Sequence, residues 1–150
     1  MKFVEEGTWF AAPLRSKGFA VGVVARTSPG GGIVLAYFFK NVWDRLPTIG
    51  EVKAFKPADA VRVLRVVDLS LMDGSWPILA QDPDWRRTDW TLPRFVRRDD
   101  LSRQAWSVQY SDRDANLVES ETPTSYDTNL ERDAVLGAGA AEVLLTRLLG

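Results

Sequence analysis

Three short β-type runs, separated by turn residues, constrain the fold of this chain more than any other segment. The runs cover residues 8–14, 19–26 and 33–39, and the connections between them contain Gly, Ser and Pro. In the second and third runs both alternating faces are largely apolar, which is typical of central strands covered on two sides. Consecutive strands with such short connections predict an antiparallel meander. Gly22 interrupts the second run and predicts a bulge, a sharp coil or the close packing of a large neighbour.

The remainder of the chain predicts further strands separated by irregular segments. Residues 60–67 are dense in β-branched side chains and favour a strand with a bulge near Leu64, although Arg62 and Arg65 are spaced as on a helix face. Residues 76–80 indicate a short edge strand because Pro77 lacks an N–H. The clean alternation of residues 105–110 predicts another strand.

Three other segments complete the predicted topology. Residues 116–119 could pair with the strand at 105–110, and residues 81–103 are interpreted as a loop punctuated by Pro and Asp. A stripe formed by Ala141, Leu144, Leu145 and Leu148 predicts a helix over residues 139–149. We therefore expect a mostly β (α+β) protein, either a bent antiparallel sheet or a partly closed barrel, with a C-terminal helix. A length of 150 residues predicts one domain, residues 1–150.

Composition excludes several classes of function. The chain contains no Cys and no His, which removes disulfides, Cys-ligated zinc, iron–sulfur clusters, a thiol nucleophile and a Ser-His-Asp triad. Nineteen basic residues nearly balance twenty acidic ones, so no global field points to nucleic acid or to an anionic membrane. We expect no metal, cofactor, nucleic-acid or membrane partner. The N-terminus has no apolar run and soon turns acidic, unlike a secretory signal, so a cytoplasmic protein is expected.

A segment dense in Trp and Arg is the first candidate surface for binding a partner. Its candidate residues are Trp85, Trp90 and Arg94, because aromatic and arginine side chains are enriched at binding hot spots. Aspartates interleave with the arginines and leave almost no net charge, which argues against nucleic acid. The alternative interpretation is a long loop pinned by its own aromatic residues.

An acidic stretch over residues 112–133 is the second candidate surface. Glu119, Glu121 and Asp127 are its candidate contacts, and they would speed association with a basic partner through electrostatic steering. The alternative is a solvated loop with no partner.

No pattern in the sequence selects a catalytic site. Glycosidases need two carboxylates at a set separation, and the many acids of this chain show no spacing that selects a pair. Gly30, Gly31 and Gly32 lie between strands with no following helix, so they do not form a phosphate-binding loop. We do not expect an enzyme.

Several short motifs resemble the immunity protein 26 family of bacterial polymorphic toxin systems. Members carry a Gly-x-x-Phe-Ala-x-Pro-Leu strand followed by Gly-x-Ala-x-Gly, and residues 7–14 and 18–24 are similar to both. Residues 73–78 resemble the family's Gly-x-Trp-x-hydrophobic element, and residues 92–95 resemble its Pro-x-Phe element. The segment 139–149 is similar in position to the family's closing helix, with Ala141-Glu142 in place of Val-Glu.

The resemblance implies a cytoplasmic, mostly β protein that binds a cognate toxin and blocks it without catalysis. It implies no catalytic residues, and the matched positions are scaffold residues (Gly7, Phe10, Pro13, Gly18, Gly22, Trp76, Pro93 and Phe95). Two other hypotheses stay open. One is a small β-barrel module that binds a peptide or protein in regulation, and the other is a carboxylate-based hydrolase.

Overall fold

The predicted meander forms the centre of a six-stranded sheet in the computed structural model, which describes residues 3–150. Within these residues the strands are β1 (Thr8–Pro13), β2 (Phe19–Thr27), β3 (Ile33–Trp43), β4 (Ala60–Val67), β5 (Ile78–Gln81), β6 (Phe95–Asp99), β7 (Gln104–Ser111), β8 (Asp114–Thr124), β9 (Glu131–Arg132) and β10 (Val135–Leu136). The α-helices are α1 (Ile49–Val52), α2 (Leu69–Asp73) and α3 (Ala138–Leu149), and single 3₁₀ turns cover Pro57–Asp59 and Arg87–Asp89.

The strands divide into two open sheets. The first has the order β10-β4-β3-β2-β1-β5, in which the strands from β4 to β5 pair antiparallel with one another and β10 pairs parallel with β4. The second has the order β8-β7-β6-β9, with β9 parallel to β6. The expected mostly β fold with a C-terminal helix is thereby confirmed. The sheets are not closed into a barrel.

The first sheet is covered on both faces, as the apolar character of β2 and β3 predicts. One face packs under α3 and the segment that carries Trp76, in a core that includes Phe10, Phe38 and Leu145. The opposite face packs against the second sheet and the preceding loop, in a core that includes Trp9, Tyr37, Phe39, Trp90, Phe95 and Val108. The central strands are apolar on both sides because each side meets a different layer.

Gly22 combines two of the roles expected for it. The register between β2 and β3 shifts between Ala20 and Gly22, so a bulge is present. A Cβ atom at Gly22 would also lie 2.6 Å from Cζ of Phe10, a distance that the packed ring cannot tolerate. Glycine is therefore required here by the close approach of an aromatic ring to the sheet.

Three local predictions are wrong in detail. Pairing between β3 and β4 is regular at Leu64, and the extra residue of β4 is instead Val61, which lies between the pairs Phe38–Arg62 and Phe39–Ala60. The segment 81–103, interpreted as a loop, contains β6, whose polar residues Arg97, Arg98 and Asp99 hide its strand character. The strand expected over residues 116–119 extends from Asp114 to Thr124.

Two buried arginines of the first sheet reach the second. On β4, Arg65 donates from Nε to the carbonyl of Ala115 at 2.8 Å and from Nη1 to the Tyr110 hydroxyl at 2.9 Å. On β2, Arg26 pairs with Asp112 at 2.8 Å. Each side chain is almost fully buried, so its charge needs these partners. The two contacts fix the position of β7 and β8 against the first sheet.

Candidate partner-binding surfaces

A groove lies between α1 and the loop that precedes β6, and Trp85 forms part of its wall. Its volume is about 580 Å³, and it is lined by Lys53, Phe55, Lys56, Asp84, Trp85, Arg86, Asp89 and Trp90, among others. Trp85 stacks on Trp90 with ring centroids 5.1 Å apart. The Trp85 indole N–H is buried and has no hydrogen-bond acceptor among residues 3–150. The groove thus joins aromatic surface to charges of both signs.

Trp90 lies beneath this groove as part of the core. Only 7% of the residue is exposed. Its ring meets Trp9, Tyr37 and Phe39 edge-on, with centroid distances of 6.0, 5.0 and 6.2 Å. The structure therefore gives Trp90 a packing role, and partner binding through its side chain stays a prediction.

Arg94 does not share the groove with Trp85 and Trp90. Its guanidinium donates to the side chain of Gln109 at 2.8 Å, to the carbonyl of Ser107 at 3.2 Å and to the Thr122 hydroxyl at 3.3 Å. It also contacts the Ser107 hydroxyl. These contacts tie the start of β6 to β7 and β8. The first candidate set is thus divided between two parts of the molecule.

Glu119 and Glu121 lie on β8, at the outer edge of the second sheet. Both residues are exposed. Glu121 accepts a hydrogen bond from Nη2 of Arg97 at 3.1 Å, whereas Glu119 forms no ion pair within residues 3–150. The two glutamates therefore lie on a strand, whereas the alternative interpretation of the sequence placed them in a solvated loop.

Asp127 lies in the turn that follows β8. Its backbone N–H donates to the Ser125 hydroxyl, and its carboxylate is exposed. The adjacent Tyr126 is held between Arg98 and Arg103, whose guanidinium carbons lie 5.6 and 3.9 Å from the ring centroid. The three acids of the second candidate set thus occupy one strand and its following turn.

An ionic cluster anchors the start of β8. Asp112 accepts from Arg26 and Arg87, and Arg87 also binds both carboxylate oxygens of Glu6, at 3.0 and 3.1 Å. The hydrogen bond from Arg26, aided by that from Arg87, lowers the pKa of the Asp112 carboxyl. Asp112 is thus an internal partner and is not free for steering.

Arg65, Tyr110 and Asp133 form a second cluster near the centre of the sheet interface. Tyr110 donates its hydroxyl proton to Asp133, and the Arg65 guanidinium lies 3.7 Å from the Tyr110 ring centroid. Burial, followed by the hydrogen bond to Asp133, raises the pKa of Tyr110 to about 12. The sequence does hold a signal for Arg65. It shares one face of β4 with Val63 and Val67 and is the charged residue of that otherwise apolar face.

Two of the acids that line the groove, Asp82 and Asp84, have local structural contacts. Asp82 accepts from the Trp9 indole N–H at 3.4 Å and from the backbone N–H of Asp84 at 2.8 Å. Asp84 lies 3.8 Å from Nζ of Lys53. Among residues 3–150, no group of three or more Asp or Glu side chains is arranged to hold a metal ion. None of the helices in that part of the chain is long and apolar enough to cross a bilayer.

Comparison with known proteins gives one family. The model of the family described as Immunity protein 26 matches residues 5–107. The matched range includes the motifs at residues 7–14, 18–24, 73–78 and 92–95 and ends within β7, before the motif at 139–149. No curated protein and no solved structure matches the chain.

Proposed function

The chain belongs to the immunity protein 26 family, and from this membership we propose that it neutralises a cognate bacterial toxin by stoichiometric binding. The mechanism is occlusion of the toxin's active site or of a surface that the toxin needs, with no turnover. Residues 1–150 act as one immunity-protein-like domain of a polymorphic toxin system, in the bacterial cytoplasm.

The family match over residues 5–107 carries this proposal. The roles of charged side chains support it, because Asp82 of the groove accepts hydrogen bonds from Trp9 and from the backbone of Asp84, and the buried arginines hold the two sheets together. Both candidate surfaces suit protein recognition: the groove offers aromatic area, and the acidic strand offers charge. Neither surface requires a cofactor.

The proposal is tested by co-expression with the product of the neighbouring gene. Expression of that product alone should stop growth, and co-expression of this chain should restore it. The two proteins should also co-purify at a ratio of one to one. Failure of both the rescue and the co-purification would overturn the proposed function.

The acidic surface predicts a dependence of the association rate on charge. Glu119→Lys should lower the association rate constant for the toxin several-fold at low ionic strength, because an exposed charge steers the encounter with a basic partner. The difference from the wild type should shrink as salt is added, since exposed charges are screened. Stopped-flow fluorescence at two salt concentrations measures both effects.

Asp44→Lys provides the matched control for this experiment. Asp44 is exposed and directly follows the last residue of β3, Trp43. The start of β8 lies near the opposite end of β3, because Arg26 pairs with Leu35 and also contacts Asp112. Both variants change the net charge equally. Equal association rates for the two variants would show that the acidic surface does not steer the toxin.

A further inference from the structure

The edge formed by β8 differs from the other three sheet edges of residues 3–150. β8 contains 11 residues, whereas the strands at the other edges, β5, β9 and β10, contain 4, 2 and 2. Native proteins usually keep edge strands short or cover them, because unpaired main-chain groups pair with other chains. The long edge of β8 carries a register shift that leaves Glu119 unpaired, a proline at Pro123 and two exposed carboxylates, so a strand that pairs with it must suit these features.

The free part of this edge extends over residues 117–124. β8 pairs with β7 alone, and no backbone group of residues 117–124 bonds to another part of the described chain. Leu117 and Val118 are 56% and 42% exposed. The free edge thus combines open main-chain groups with apolar side chains.

The register shows which main-chain groups point outward. The carbonyl of Val96 accepts from the N–H of Asp133 at 2.8 Å, so Val96 directs its groups away from β7. Because pairing alternates along an antiparallel ladder, Ser107, which lies opposite Val96, directs its groups to Thr122 on β8. The next residue, Glu121, therefore presents its N–H and C=O at the outer edge.

The position of Pro123 agrees with this alternation. Pro123 lies opposite Trp106, two residues from Glu121, and its missing N–H falls on the outer edge. Proline in a strand is tolerated at such a position because no ladder hydrogen bond is lost.

The charges of the edge select its occupant. If two copies paired antiparallel about Ser120, Glu119 of one copy would lie opposite Glu121 of the other, and directly opposed like charges destabilise strand pairs. A strand with Lys or Arg opposite Glu119, which forms no ion pair within residues 3–150, would instead meet complementary charge. A second copy in this register is therefore disfavoured, and a basic segment is favoured as the occupant of the edge.

We propose that the outer edge of β8 receives an extended, basic segment of the toxin by antiparallel or parallel strand addition, an inference that rests on the proposed function. Main-chain hydrogen bonds supply affinity in this mode, and side chains along the edge supply selectivity. β8 lies beyond residues 5–107, the range shared with the family model. This position suits a segment that recognises one particular toxin.

Amide hydrogen exchange of the free chain and of its complex with the toxin from the neighbouring gene tests the edge directly. The Glu121 N–H should exchange rapidly in the free chain and at least about tenfold more slowly in the complex, because strand addition gives it an acceptor. The amides of Ser120 and Thr122 already face β7 and should change little. Unchanged exchange at Glu121 in a formed complex would overturn the inference.

Glu121→Pro and Glu121→Gln separate the main-chain contact from the charge. Proline removes the outward N–H but no ladder bond to β7, and it should raise the Kd for the toxin at least about tenfold more than glutamine does. Circular dichroism verifies that each variant is folded. If Glu121→Pro does not fold, the exchange experiment on the wild-type chain decides alone.

The outcomes distinguish the two proposals. Rescue of growth with unchanged exchange and equal Kd values for the two variants would overturn strand addition and leave toxin neutralisation standing. Failure of the wild-type chain to rescue growth or bind the toxin would overturn the proposed function and the inference together.

Discussion

Replacing Arg65 with methionine should lower the free energy of unfolding by about 3–5 kcal/mol, the usual effect of removing one partner from a buried ion pair. Arg65 is 4% exposed and holds the carbonyl of Ala115, the hydroxyl of Tyr110 and the carboxylate of Asp133. Methionine fills similar space but leaves the Asp133 charge without its cation. The sheets would lose the contact that positions β8. Urea denaturation followed by Trp fluorescence measures the change.

Arg62→Met is the matched control, since Arg62 lies on the same strand and also pairs with an acid. Its side chain is 35% exposed and lies 3.2 Å from Glu131. A pair this exposed contributes about 0–1 kcal/mol, so the control should be only slightly destabilised. Equal losses for the two variants would contradict the role assigned to Arg65.

A double-mutant cycle identifies the origin of the Arg65 effect. Adding Asp133→Leu to Arg65→Met should restore part of the lost stability, because the unpaired carboxylate is removed as well. If the changes in unfolding free energy caused by the two substitutions simply add, the lower stability of Arg65→Met does not come from the charge left on Asp133.

Replacing Trp76 with alanine should cost about 3–5 kcal/mol, as for large aromatic residues removed from a core. Trp76 is fully buried, stacks on Phe10 at 5.6 Å and meets Phe38 edge-on at 6.1 Å. Its indole N–H also donates to Glu142 of α3 at 2.8 Å. The substitution should therefore loosen α3 together with the core beneath it. Denaturation measures the stability, and amide exchange over α3 measures the loosening.

Two further variants test this explanation. Trp106→Ala should cost clearly less, because Trp106 is half-buried and packs against the guanidinium of Arg97 at 4.6 Å. Trp76→Phe should give an intermediate loss, since the ring packing is largely kept while the donor to Glu142 is removed. A loss for Trp76→Ala no greater than that for Trp106→Ala would show that the core tolerates the cavity.

The central strands and α3 could be predicted because their apolar residues follow the periods of strand and helix. β2 and β3 are apolar on both faces, and Ala141 and Leu145 of α3 are buried at helical spacing. β6 and most of β8 could not, because their exposed residues are polar and leave no hydrophobic period. Residues 119–122, Glu-Ser-Glu-Thr, illustrate the difficulty: nothing in them signals a strand.

For the candidate binding residues too, the sequence predicted less than the structure shows. The sequence identified Trp85, Trp90 and Arg94 as one set because they are close along the chain. Tertiary packing places Trp90 in the core and Arg94 against β7 and β8, since each side chain follows the partners that satisfy it. Glu119 and Glu121 were identified by charge, but their place on an open edge depends on which strand pairs with β7.

By itself, the sequence determined the meander, the closing helix and the resemblance to the family, because these follow from local patterns and short motifs. Only the tertiary structure decided that the strands form two open sheets, that Arg26 and Arg65 join them, and that β8 is left uncovered. These features depend on contacts between residues far apart in the chain, and local periodicity carries no information about which distant groups will pair.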